Sequence, residues 1–130
     1  MMTIRFSLVG LLACVAGCSF AARSPDMYRD DTAALLESRN AQITTCYDEA
    51  LKTNKDLQGR VSVKFLVENK TGQLKNVAAD PAGTTAPEPL TRCVVDSLQG
   101  LVLDPGDQRD GDATFVYEFT PSGAAAAPAG

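Results

Sequence analysis

The chain has 130 residues, 12 of them basic and 16 acidic, and it has no histidine. The mild acidity and the lack of a basic cluster argue against nucleic acid as a partner, and the missing histidine removes Ser-His and Cys-His nucleophiles. A chain this long supports one small domain, of a size that often needs a covalent staple.

Arg5 precedes the apolar run Leu8-Val9-Gly10-Leu11-Leu12-Ala13-Cys14-Val15-Ala16-Gly17-Cys18. A positive start, an apolar middle and small residues at the end are the layout of a secretory signal peptide, here residues 1–17. Val15-Ala16-Gly17-Cys18 resembles the bacterial lipobox. The resemblance implies cleavage before Cys18 and a diacylglycerol on its sulfur, which anchors the chain in the cell envelope facing the periplasm. Ser19 stands where an inner-membrane retention signal would have Asp, which favours the outer membrane. Three other readings stay open: a membrane span, an ordinary secreted chain with Cys18 incidental, and a poorer lipobox at Leu11-Leu12-Ala13-Cys14. The span is disfavoured because the apolar run, residues 6–20, falls short of the ~20 residues a spanning helix needs.

Residues 18–31 are polar and read as a flexible tether. Ser24-Pro25 has the chemistry of a helix start, but little apolar patterning follows before Leu35. Over residues 32–53 the period is helical, with Leu36, Ile43, Cys46, Tyr47, Ala50 and Leu51 at three- and four-residue steps. Gly59 then marks a turn. In the next segment Val61, Val63, Phe65 and Val67 alternate as a half-buried strand. Asn69-Lys70-Thr71-Gly72 is turn chemistry, and it fits a hairpin better than a glycosylation acceptor. Residues 73–79 return as the second strand.

A Pro/Gly/Thr loop over 80–86 leads to a helix starting at Pro87, with Thr85 as its expected cap. Leu90, Cys93, Val94, Ser97, Leu98 and Leu101 form its apolar stripe. Residues 104–112 make an acidic loop. Gly106 and Gln108 occupy positions where a calcium loop needs acids, so it reads as a solvated turn. Residues 113–119 alternate as a third strand, and the Ala/Pro/Gly tail 121–130 reads as disordered. The expected domain, residues 32–120, is a two-layer α+β fold: a three-stranded antiparallel sheet covered by two helices, in the order α-β-β-α-β.

With Cys14 lost in the signal and Cys18 lipidated, Cys46 and Cys93 remain. In an oxidising compartment such a pair becomes a disulfide, here joining the two helices. Two separate buried thiols are the alternative. A metal site lacks both His and a Cys-x-x-Cys.

Four segments resemble the AgmX/PglI C-terminal domain of myxobacterial envelope proteins, which is similar to the C-terminal domain of TonB. They are Ile43-Thr44-Thr45-Cys46-Tyr47-Asp48-Glu49-Ala50-Leu51, Leu57-Gln58-Gly59-Arg60-Val61-Ser62-Val63-Lys64-Phe65, Gly72-Gln73-Leu74 and Leu90-Thr91-Arg92-Cys93-Val94. The resemblance covers residues 43–119. It departs at Leu101-Val102-Leu103-Asp104-Pro105, where the family has Trp-x-Phe-Pro, and at Tyr117-Glu118, where it has Pro-Phe.

The resemblance implies a non-enzymatic module that recognises extended segments of envelope proteins, accessory to transport or gliding machinery. No cofactor is implied beyond the lipid on Cys18. Such recognition uses an exposed sheet edge, and the expected edge is the terminal strand: Thr114, Phe115, Val116, Tyr117, Glu118 and Phe119. The competing expectation is a structural or small-ligand-binding lipoprotein with inert edges.

Overall fold

The computed structural model describes residues 21–129; the signal segment 1–17 and Cys18 lie outside them. Two helices open the fold, α1 (Pro25–Glu37) and α2 (Asn40–Thr53). The Ser24 hydroxyl accepts the Met27 N–H at 3.3 Å, and Pro25 takes the first helical position, where its missing N–H costs nothing. At the other end Ser38 turns its hydroxyl back onto the Leu35 carbonyl at 2.6 Å. Arg39, at φ −107° and ψ 6°, leaves the helical path before α2 begins.

The single helix expected over 32–53 is therefore two. The expected tether, residues 18–31, is helical from Pro25 onward. Only Thr32 and Leu36 of α1 are buried, with Tyr28 half-buried. A helix that buries so little shows no clear apolar stripe, and only its cap announces it.

The remaining elements are β1 (Gly59–Val67), β2 (Leu74–Ala79), α3 (Glu88–Ser97), β3 (Gly111–Thr120) and β4 (Gly123–Pro128). They form one antiparallel sheet in the order β2-β1-β3-β4. Alternation buries Val61, Val63, Phe65 and Val67 of β1 with Phe115, Tyr117 and Phe119 of β3. Ile43 and Tyr47 of α2 and Leu90 and Val94 of α3 belong to the same core, and the Tyr47 and Phe119 rings sit 5.1 Å apart. Cys46 and Cys93 are disulfide-bonded, with Cα atoms 5.7 Å apart and a sequence separation of 47. Closing a loop of that size stabilises the fold by about 4 kcal/mol through loop entropy.

The class is α+β, but the sheet has four strands rather than three. The tail expected to be disordered supplies β4, which pairs with β3 from Thr120↔Gly123 to Phe115↔Pro128. Its residues are all exposed, so the strand has no apolar alternation to reveal it. What holds it is the backbone of β3. A second difference concerns α3, whose cap is Pro87 with no side-chain hydrogen bond. Thr85, the expected cap, instead accepts the Arg60 N–H at 2.9 Å, and Thr84 accepts that of Ser62 at 3.1 Å. The loop thus covers the stretch of β1 that β2 does not reach.

Candidate functional site

The six residues expected to form a free edge, Thr114 to Phe119, lie in β3 between β1 and β4. Their backbone is paired on both sides, and Phe115, Tyr117 and Phe119 point into the core. This corrects the expected edge strand. The reason is the unexpected β4, which takes the position a partner segment would have taken. Burial pushes the Tyr117 phenol up to about 12, and its hydroxyl has no hydrogen-bond partner among the described residues.

The edges left open are β2 and β4, and they differ. β2 is irregular: its register with β1 shifts between Lys64 and Leu66, and Asn76 sits at φ 54°. A kinked strand carrying the exposed Lys75 is a blunted edge. β4 pairs with β3 without a break over Gly123–Pro128.

Its two sides follow from alternation. The Ala129 N–H donates to the Thr114 carbonyl at 3.0 Å, so the N–H groups of Ala125 and Ala127 also face β3. Those of Ala124 and Ala126 face away from the sheet. Pro128, which has no N–H, falls on the outward side, where proline is tolerated. Beside this edge lies a cleft of about 130 Å³ lined by Glu37, Asn40, Thr44, Tyr117 and Ala125.

A second feature sits at the opposite end of β4. The segment before α1 is latched to the loop between α3 and β3. The Ala21 N–H donates to the Gly106 carbonyl at 2.9 Å, and the Ala21 carbonyl accepts the Gln108 N–H at 3.1 Å. The Arg23 N–H donates to Asp107 Oδ2 at 2.9 Å. The Arg23 guanidinium, itself buried, reaches Asp31 through Nε at 2.6 Å and the Pro105 carbonyl through Nη2 at 2.8 Å. Its Nη1 stands 3.7 Å from Asp107 Oδ2.

Asp107 is 1% exposed, whereas the sequence suggested a solvated turn. Burial alone would raise its carboxyl. The N–H groups of Arg23, Arg109 and Gln108, with the Arg109 charge, outweigh burial and hold it below the usual range. Arg23, Asp107 and Tyr28 were missed from sequence. Arg23 and Asp107 are 84 residues apart, and the only local trace was the Ser24-Pro25 cap that follows Arg23. Between α1 and β3 this end leaves a groove of about 340 Å³, lined by Arg23, Tyr28, Arg109, Asp110, Thr114 and Pro128.

No family model, curated protein or solved structure matches the chain. No helix among the described residues is long and apolar enough to cross a membrane.

Proposed function

We propose that the protein is a non-enzymatic envelope protein anchored by a lipid on Cys18, and that its domain is a periplasmic protein-interaction module of the AgmX/PglI, TonB C-terminal-like kind. It would serve as an accessory of transport or gliding machinery, most naturally at the outer membrane. The observation that carries the reading is the outer edge of β4, which offers the backbone of Ala124 and Ala126 on an unbroken strand with small side chains. An extended partner segment adds there as a fifth strand, with main-chain hydrogen bonds giving affinity. The sequence resemblance and the α2–α3 disulfide support the family assignment.

The test is in-cell crosslinking of the tagged full-length protein, followed by membrane capture and mass spectrometry, with Cys18→Ala as control. Reproducible enrichment of one or two envelope proteins, reduced in the control, is the expected result. Recovery of background lipoproteins alone would contradict it. The groove beside Arg23 and Tyr28 favours a second reading, a structural or small-ligand-binding envelope lipoprotein, because about 340 Å³ is at the lower end of ligand pockets. A small molecule retained through purification, with no protein partner, would support that reading.

A further inference from the structure

Ala21, the first described residue, is fixed at both its N–H and its carbonyl to the loop at Gly106 and Gln108. Arg23, two residues on, is locked by its own N–H on the buried Asp107 and by its guanidinium on Asp31 and Pro105. Two residues, Ser19 and Phe20, separate Cys18 from Ala21, a distance of three residue steps. A chain spans at most about 3.6 Å per residue, so the sulfur-bearing residue lies within roughly 11 Å of the latch. A lipidated Cys18 sits at the bilayer surface. The domain then stands no further from that surface than this span allows.

We infer that the latch end of the domain lies against the headgroup layer of the membrane that holds the lipid, so that the sheet stands on that end with its β4 edge presented sideways. The inference rests on the proposed lipid at Cys18.

The register defines that end. The close of β1 at Val67 pairs with Gly111 at the start of β3 and with Leu74 at the start of β2. The Tyr28 ring packs within 2.5 Å of where a Cβ on Gly111 would stand, which brings the first turns of α1 to the same end. The Lys70 N–H donates to the Asp107 carbonyl at 2.7 Å, placing the β1–β2 turn there too. The opposite end consists of the α2–β1 connection, the turn between β3 and β4, and the loop after β2.

Surface chemistry agrees with this orientation. Met27 and Val102, 53% and 43% exposed, are the large apolar side chains that stand out among the described residues. Met27 is in the first turn of α1, and Val102 bridges to Gln73, next to the start of β2. Single exposed apolar residues are ordinary on any surface; here both are at the latch end. Its charges are mixed, with Lys70, Arg29 and Arg109 among Glu68, Asp26, Asp104, Asp110 and Asp112. Apposition is therefore imposed by the short strap rather than by attraction to anionic lipid.

The experiment uses the full-length protein purified from membranes and reconstituted into phosphatidylcholine vesicles containing a headgroup-quencher lipid. One sample carries a fluorescent amino acid in place of Lys70, at the latch end, and another in place of Lys55, at the far end. Quenching several-fold stronger at position 70 is expected, and a Gly/Ser insert of about 20 residues after Ser19 should abolish the difference by lengthening the strap. Equal quenching at both positions overturns the orientation, and a difference that survives the insert overturns the strap as its cause. The mass of the N-terminal peptide is measured first. An unmodified Cys18 removes the anchor itself, and this inference with it, whereas a lipidated chain without the gradient leaves the proposed function standing.

Discussion

Tyr28, Tyr47 and Tyr117 are the three tyrosines of the chain, and burial is the main cause raising each phenol above its ordinary value. For Tyr28 the nearby Asp107 charge adds to burial. Tyr47 donates its hydroxyl to the Leu57 carbonyl at 2.5 Å, whereas Tyr117 has no partner among the described residues. A folded pKa raised above the unfolded ~10 stabilises the fold fully below that pH. The stabilisation is lost as pH climbs through the folded value, about 12 for Tyr117. Tyrosinate absorbance should thus stay low past pH ~10 and then rise in one cooperative step with unfolding. A smooth curve centred near pH 10 would contradict the buried placement. Asp107 has the opposite sign. Its lowered carboxyl stabilises above the unfolded value of ~3.9 and stops doing so as pH falls through its folded value. Asp107→Asn should flatten the acid limb of the stability profile. At neutral pH it should cost about 2 kcal/mol in denaturant unfolding, since it leaves Asp31 as the one carboxylate on the buried Arg23 guanidinium and weakens the acceptor of the Arg23 and Arg109 N–H groups. Gly111→Ala should displace the Tyr28 ring, because the new methyl would stand 2.5 Å from it; a Tyr28 phenol that titrates nearer its ordinary value is the readout.

At the scale of elements, the α2–α3 pair and the β4 edge carry distinct predictions. Replacing Cys46 and Cys93 by Ser should lower stability by roughly 4 kcal/mol in denaturant unfolding, with the fold otherwise retained. On β4, Ala126→Pro removes an outward N–H, while Ala125→Pro removes one that faces β3. If the edge recruits a partner, Ala126→Pro should weaken crosslinked capture without shifting the unfolding midpoint. Ala125→Pro should instead loosen the strand, read as faster hydrogen exchange at Phe119 and Tyr117. These elements also differ in how far the sequence revealed them. β1 and its hairpin partner were plain in the alternation of Val61 to Val67 and in the Asn69–Gly72 turn, because one face is buried and the turn is local. α3 was legible from its stripe even though its cap was misassigned. α1 was announced by Ser24-Pro25 alone, and β4 had no periodic signal at all. The candidate site followed the same rule: the disulfide cysteines sat within helical stripes, but the expected binding strand turned out to be interior because of a neighbour with no pattern of its own.

At the scale of the molecule, the latch turns a polar leader into part of the domain. Arg23, Asp31 and Asp107 come from three separate segments and meet at the start of α1, and Arg23 also lines the groove beside them. The α+β class, the hairpin, the apolar faces of α2, α3, β1 and β3, and the place of Cys46 and Cys93 in the helical stripes can be read from the amino-acid order alone. Each of these is written in local periodicity or in residue type, which survive without any knowledge of distant neighbours. The fourth strand, the choice of open edge and the clamping of the segment before α1 emerge only when the chain is folded. Those outcomes depend on where unpaired backbone and buried charge find partners many residues away, and no local pattern encodes such a partner.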